Sequence, residues 1–214
     1  MILYLHGFAS GPNSHKATAF RARFRELGVE VHCPDLTPGP DGFELSTPSS
    51  MLAIAEAALG ARAGPHALIG SSLGGYLAAL AAARNPSVAR LFLLAPAFRL
   101  HERWSARLGP AELERWRASG SREVFHHASN RERRIGWAFF EDAARLPPFP
   151  VVKVPSLAIA GVRDEMVALA DVEAFVERTP GARLVKVDDA HELAQSIDLS
   201  FREAREFLRP LTEA

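Results

Sequence analysis

An α/β fold built on a mostly parallel sheet of about six strands, with helices on both faces, is what the sequence predicts. Three observations carry that expectation. Short apolar runs alternate with helical patterns along most of the chain, the sign of strands joined by crossover helices. The runs are apolar throughout rather than at every second residue, as strands covered on both faces require. The 214 residues are 48% hydrophobic and 23% charged, which excludes wholesale disorder and suits a single domain.

The candidate strands are Ile2–Leu5, Val29–Cys33, Ala67–Gly70, Ala89–Leu94, Ser156–Ala160 and Arg183–Val187. Between the first two, Asn13 or Ser14 caps a helix that runs to Leu27 and stops at Gly28. Its Ala17, Phe20, Phe24 and Leu27 share one face at three- and four-residue spacing. The Pro-, Gly- and Asp-rich stretch Pro34–Ser46 reads as a surface loop. Thr47-Pro48 then supplies an N-cap with proline at the first helical position, opening a helix to about Leu59. A further helix spans Leu73 to about Arg84 and is halted by Asn85-Pro86. Helices near Leu169–Arg178 and Leu199–Leu208 flank the last strand.

From Phe98 to Pro150 the alternation fails. This segment holds Trp104, Trp116 and Trp137, several helical patterns and no convincing strand. Asn130 is placed to cap a helix through Ala144. Residues 1–214 therefore read as one domain with a helical cap inserted at about 98–150.

Composition narrows the function classes. Lys+Arg and Asp+Glu are both 25, for zero formal charge, which argues against nucleic acid as the main partner. No stretch approaches the roughly 20 apolar residues of a membrane span, so stable membrane insertion is not expected. Met1–Leu5 has no basic region before it, which points to a cytoplasmic protein. The single cysteine, Cys33, rules out an intramolecular disulfide and reads as a buried, inert thiol. His126-His127 has no further ligand at metal spacing, so no metal site is expected.

The chemistry-bearing signal is Gly70-Ser71-Ser72-Leu73-Gly74, a G-x-S-x-G pattern between an apolar strand and a helix. A serine on such a strand-to-helix turn is held in a strained conformation with its hydroxyl projecting, and flanking glycines relieve the crowding. Ser71 and Ser72 compete for the role. Only Ser72 has glycine two before and two after, so Ser72 is the candidate nucleophile. Such a turn aims the Leu73 amide and the helix N-terminus at the reacting oxygen. His6-Gly7-Phe8, directly after the first strand, brings a second donor, the Phe8 amide. The His6 side chain itself reads as structural, bonded to nearby backbone.

An acid is expected after a late strand, at the carboxyl edge where open α/β sheets bind ligands. Asp164 in Gly161-Val162-Arg163-Asp164-Glu165 is the candidate, with Glu165, Asp188 and Asp189 as rivals. His191 follows the last strand, downstream of both serine and acid. Ser72, Asp164 and His191 thus occur in the order nucleophile, acid, histidine, each after a strand end. That set supports acyl transfer through an acyl-enzyme, with His191 taking the Ser72 proton and Asp164 orienting the imidazole.

Leu3-Tyr4-Leu5-His6-Gly7-Phe8, Gly70-Ser71-Ser72-Leu73-Gly74-Gly75-Tyr76 and Ser14-His15-Lys16-Ala17 together resemble the YqiA-like small esterases of the α/β-hydrolase superfamily. The resemblance implies an α/β-hydrolase fold reduced by its first two strands, and carboxylesterase activity. Carried over, Ser72, Asp164 and His191 are the triad, with Phe8 and Leu73 as oxyanion donors. Phe98–Pro150 aligns with no segment of that family.

The expected function is a cofactor-free serine esterase acting on small to medium acyl esters. A thioesterase, a lipase-type acyl hydrolase and a catalytically silent binding protein are the alternatives. Phe98, Trp104, Phe139 and Met166 are candidates to line an acyl pocket, against the plainer view that such aromatics glue cap to core. Arg131, Arg133 and Arg134 form a cluster that reads as a solvated helix face or, alternatively, as a site for a substrate carboxylate or phosphate.

Overall fold

A computed structural model describes residues 1–212. Strands β1 (Ile2–Leu5), β2 (Val31–His32), β3 (His66–Ser71), β4 (Val88–Leu94), β7 (Ser156–Gly161) and β8 (Ala182–Val187) form one six-stranded sheet in the order β2-β1-β3-β4-β7-β8. Every neighbouring pair is parallel. The chain therefore starts next to one edge, fills the centre and ends at the other edge.

The register splits the strand residues between two cores. Ile2, Tyr4, Ala67, Ile69, Phe92 and Leu94 face α1 (His15–Glu26) and α8 (Ile197–Thr212), with Phe20, Phe24 and Phe207 packed on them. Leu3, Leu5, Leu68, Leu91 and Leu93 face α3 (Pro48–Gly60), α4 (Leu73–Arg84) and α7 (Leu169–Arg178). Two apolar faces explain why the strands lack polar alternation. Helix α4 is buried from Leu73 to Ala82, enclosed by the sheet, α3 and the inserted segment, which explains its apolar character on every side.

Strand β2 is shorter than its apolar run Val29–Cys33. The Val29 amide donates to Phe24 O at 2.9 Å and the Gly28 amide to Arg25 O at 3.0 Å. These bonds close the C-terminus of α1 with Gly28 at φ 74°. Val29 is thereby spent on ending the helix rather than pairing in the sheet. The loop Pro34–Ser46 contains one short helix, α2 (Gly42–Leu45).

The segment between β4 and β7 is not wholly helical. It carries α5 (Leu100–Ser119), β5 (Ser121–His126), β6 (Arg131–Gly136) and α6 (Trp137–Ala143). Strands β5 and β6 form an antiparallel hairpin running from the Ser121–Gly136 pair to the His126–Arg131 pair. Asn130 sits in its turn at φ 50°, a conformation Asn tolerates well, so it closes a hairpin instead of capping a helix to Ala144. Helix α5 is broken at Gly109, φ 72° and ψ 167°, followed by Pro110. Polar contacts fasten the segment to the core. Asp171 on α7 accepts from Arg99 at 3.2 Å and Arg103 at 3.0 Å, and the Tyr76 hydroxyl donates to Pro147 O at 2.8 Å.

Candidate active site

Strand β3 passes into α4 through Ser72, whose φ of 54° and ψ of −120° lie where a side chain is rarely tolerated. Such a conformation costs about 1–3 kcal/mol and persists only when its surroundings over-determine it. Here the Ser72 amide donates to Leu94 O at 2.9 Å, while Ser72 O accepts from Gly75 and Ala97 at 2.9 and 3.0 Å. The flanking glycines are required by close approach. A Cβ on Gly70 would lie 2.3 Å from Gly74 O, and one on Gly74 would lie 2.1 Å from Leu5 O.

The neighbouring strand ends bring the other groups to this serine. The Ser72 hydroxyl donates to His191 Nε2 at 2.9 Å, and His191 Nδ1–H donates to Asp164 Oδ2 at 2.8 Å. Ser71, the last residue of β3, is buried, and the imidazole reaches Ser72 instead. Asp164 Oδ1 accepts from the Met166 and Val167 amides, both at 2.8 Å. Burial alone would raise this carboxyl. The hydrogen bonds from His191 and Val167 outweigh it and hold Asp164 below the ordinary aspartate range. An ionised carboxylate is what fixes the Nδ1–H tautomer and leaves Nε2 free to accept a proton. The rival acids stand elsewhere: Glu165 is exposed, and Asp188 pairs with Arg163 at 2.8 Å on the surface.

The β1–α1 turn lies against the serine, since a Cβ on Gly7 would sit 3.4 Å from Ser72 Cβ. Among the described residues neither the Phe8 nor the Leu73 amide has a protein acceptor. His6 plays the structural part expected of it. Its Nε2 accepts from the Leu36 amide at 3.2 Å and its Nδ1–H donates to Gly7 O at 3.0 Å. Burial lowers its pKa, keeping the ring neutral and the turn braced. The Phe8 ring is boxed by Trp104, Phe139 and Phe43, with centroids at 5.1, 5.3 and 5.5 Å.

The expected pocket residues do not act as one group. Phe98 is fully buried and stacks on Phe175 at 4.3 Å, leaving no surface for a ligand. This departs from the expectation because Tyr76, Phe149 and Phe175 enclose the ring within the core. Phe139 is also buried, Trp104 is partly so, and both pack on Phe8. Met166 is exposed, with its sulfur 2.9 Å from Arg107 Nη1. The arginine cluster lies on β6, not on a helix, and mostly fastens that strand. Arg133 donates to Pro40 O and covers the Phe43 ring, and Arg134 pairs with Glu44 at 3.4 Å. Cys33 is half-buried, and burial pushes its thiol up to about 12, so it is inert at neutral pH. Among the described residues no group of three or more His, Cys, Asp or Glu is arranged to hold a metal, and no helix is long and apolar enough to cross a membrane.

One functional support has no motif of its own. Asp189, weighed above only as a rival acid, is buried and accepts from the Ala190, Gln195 and Ser196 amides at 2.8, 2.9 and 2.8 Å. It thereby shapes the loop that presents His191. Burial would raise its carboxyl, but these donors hold it below the ordinary value of 3.8. A depressed pKa contributes stability that is fully present above that ordinary value and is lost as pH falls through the lower folded value. Asp164 acts in the same sense. Asp189→Asn is expected to destabilise the fold by about 2 kcal/mol at neutral pH and to flatten the acid limb of a stability–pH curve followed by denaturant unfolding.

The family profile described as "Uncharacterised protein family (UPF0227)" matches residues 1–140. The chain belongs to this YqiA-like family. The match runs through α5 and the hairpin into α6, so the family pattern includes most of the inserted segment, contrary to expectation. No curated protein matches the chain. Among solved structures, α/β hydrolase domain-containing protein 10 from mouse aligns at 22% identity over 98% of this chain and 90% of its own, with a TM-score of 0.82. Est1E from Butyrivibrio proteoclasticus aligns at 21% over 100% and 88%, with a TM-score of 0.78. A protein of the α/β-hydrolase superfamily from Xanthomonas campestris pv. campestris aligns at 28% over 98% of each chain, with a TM-score of 0.66. The fold of this family member is thus the α/β-hydrolase fold.

Proposed function

We propose that the protein is a serine hydrolase, a carboxylesterase that cleaves small to medium acyl esters and needs no cofactor. The observation that carries this reading is the unbroken hydrogen-bonded run from Ser72 through His191 to Asp164, with separations of 2.9 and 2.8 Å. In the proposed reaction Ser72 Oγ attacks the ester carbonyl carbon as its proton passes to His191 Nε2. The oxyanion that forms is received by the Phe8 and Leu73 amides, whose lack of protein acceptors suits that task. The tetrahedral intermediate collapses, the C–O bond breaks and the departing alcohol takes the proton from Nε2. Water then gives a proton to His191 as it attacks the acyl-enzyme carbonyl, and collapse of the second tetrahedral intermediate breaks the bond to Ser72 Oγ, which takes the proton back from Nε2 as the acid leaves.

A p-nitrophenyl ester series from short to long acyl chains tests the reading, with an acyl thioester in parallel to separate esterase from thioesterase. Turnover of short and medium esters, with stoichiometric labelling of Ser72 by a fluorophosphonate, is the expected result. Absence of both turnover and label would favour a silent binding protein and end the proposal.

The acid has its own test. Asp164 Oδ1 faces two amide donors, so an asparagine there would turn its oxygen to them and its NH₂ towards His191 Nδ1. The imidazole would then carry its proton on Nε2 and lose the ability to accept one from Ser72. Asp164→Asn is accordingly expected to lower kcat by about 10²- to 10⁴-fold, while Glu165→Gln and Asp188→Asn stay near wild type. A near-wild-type rate for Asp164→Asn would transfer the role to another acid.

A further inference from the structure

Lys16 belongs to a motif, Ser14-His15-Lys16-Ala17, that the proposed chemistry leaves unused. It lies in the first turn of α1, behind the candidate site, and only 10% of its side chain is exposed. Burying a lysine sacrifices the rotamer freedom of a long side chain and penalises the charge as well. Such a position is stable only where strong acceptors surround the ammonium. Lys16 Nζ donates to Glu192 O at 3.0 Å, to the Glu192 carboxylate at 3.2 Å and, more weakly, to His191 O at 3.5 Å. Two of the three acceptors are backbone carbonyls, and one belongs to the candidate base itself.

The His191 loop is therefore held from two sides. Asp189 gathers its amides from within, and Lys16 ties its carbonyls to α1 from without. The imidazole has to keep 2.8 Å to Asp164 and 2.9 Å to Ser72 together. A displacement of about 1 Å would break one of those bonds, and misplacements of that size cost about 10²-fold in rate. Lys16 touches neither Ser72 nor Asp164, so its effect passes through the backbone of residues 191–192.

We propose that Lys16 is a positioning residue for His191, a buried cationic tether that holds the His191–Glu192 backbone so that the imidazole bridges serine and acid. The proposal rests on the serine-hydrolase reading for its kinetic consequence, while the geometric consequence stands apart from it.

The test compares wild type with Lys16→Met, which keeps the length and removes the charge and donors, and with Lys16→Gln, which keeps a shorter neutral donor. Arg23→Ala is the control, since it removes an exposed ion pair with Asp198 from the same helix. Three quantities are measured well below each melting temperature: kcat and KM on p-nitrophenyl acetate, the fluorophosphonate labelling rate, and the far-downfield proton resonance of His191 Nδ1–H. Lys16→Met is expected to lower kcat and the labelling rate by about 10- to 100-fold, with KM within about twofold and the resonance broadened or lost. Lys16→Gln falls between, and Arg23→Ala matches wild type. If Lys16→Met does not fold, Lys16→Gln alone decides by the same three readouts. Wild-type kcat and an intact resonance in the folded variant, whatever its melting temperature, would reduce Lys16 to a structural residue and overturn the proposal. A wild-type protein that neither turns over nor labels would instead overturn the hydrolase reading, and the resonance would then judge Lys16 by itself.

Discussion

Ser72→Ala is expected to lower kcat/KM towards p-nitrophenyl esters by about four to six orders of magnitude, the range in which loss of a catalytic serine falls. The proposed reaction has no other route to an acyl-enzyme, because among the described residues His191 Nε2 hydrogen-bonds to this hydroxyl alone. What remains should come from the Phe8 and Leu73 amides and from binding alone. The fluorophosphonate label should vanish with the hydroxyl. Full activity in Ser72→Ala would move the nucleophile to Ser71. Stability should move the other way at this position. Ser72 holds φ 54°, and alanine inherits that strain, whereas glycine is free of it. Ser72→Gly should therefore be inactive yet melt higher than Ser72→Ala, by about 1–3 kcal/mol in unfolding free energy. Equal stability of the two variants would show that the turn stores no strain.

Gly74→Ala is expected to be strongly destabilising, since the methyl makes the shortest approach of any built on a glycine. Its Cβ would lie 2.1 Å from Leu5 O and 2.4 Å from His6 O. Both are backbone atoms, at the end of the buried strand β1 and just after it, so no side chain can swing aside. Relief requires α4 or β1 to move, a cost of about 3 kcal/mol or more. For a chain of this size that lowers the melting temperature by about 10 °C. The same shift displaces the His6–Phe8 turn, so residual activity should be lost even in protein that stays folded. Gly60→Ala is the contrast. No atom lies within 4 Å of its Cβ at the end of α3, and a gain of about 0.5–1 kcal/mol is expected. Thermal unfolding of the two variants side by side checks both signs. A Gly74→Ala protein as stable as wild type would mean that the turn has slack that the close approach denies.

Legibility in the sequence followed the range of the interaction that each feature depends on. The nucleophile was readable because crowding around its turn is recorded in residue type: a Cβ at 70 would meet Gly74 O and one at 74 would meet Leu5 O, and Ser72 alone has glycine at both places. The strands were readable because two covered faces leave a continuous apolar run. The hairpin β5–β6 was not, since Arg131-Glu132-Arg133-Arg134 carries its apolar stems under charged heads and only Ile135 of β6 is fully buried. Its place depends on α2 and the Phe43 that α2 carries, which are distant in sequence. Trp104 and Phe139 were readable as aromatic but not as the walls around Phe8.

By itself, then, the sequence determined the α/β class, the two-faced parallel sheet, the strained serine turn and the order of serine, acid and histidine. Turn sterics and burial periodicity act over a few residues and leave their mark in residue type. Only the tertiary structure decided which carboxylate meets His191 Nδ1, that Asp189 shapes the loop, that Phe98 is core and that Lys16 reaches the carbonyls of His191 and Glu192. Those contacts join residues up to 176 positions apart. They arise because parallel strands deliver their carboxyl ends to one edge of the sheet, and no local pattern specifies which side chains on those loops will meet.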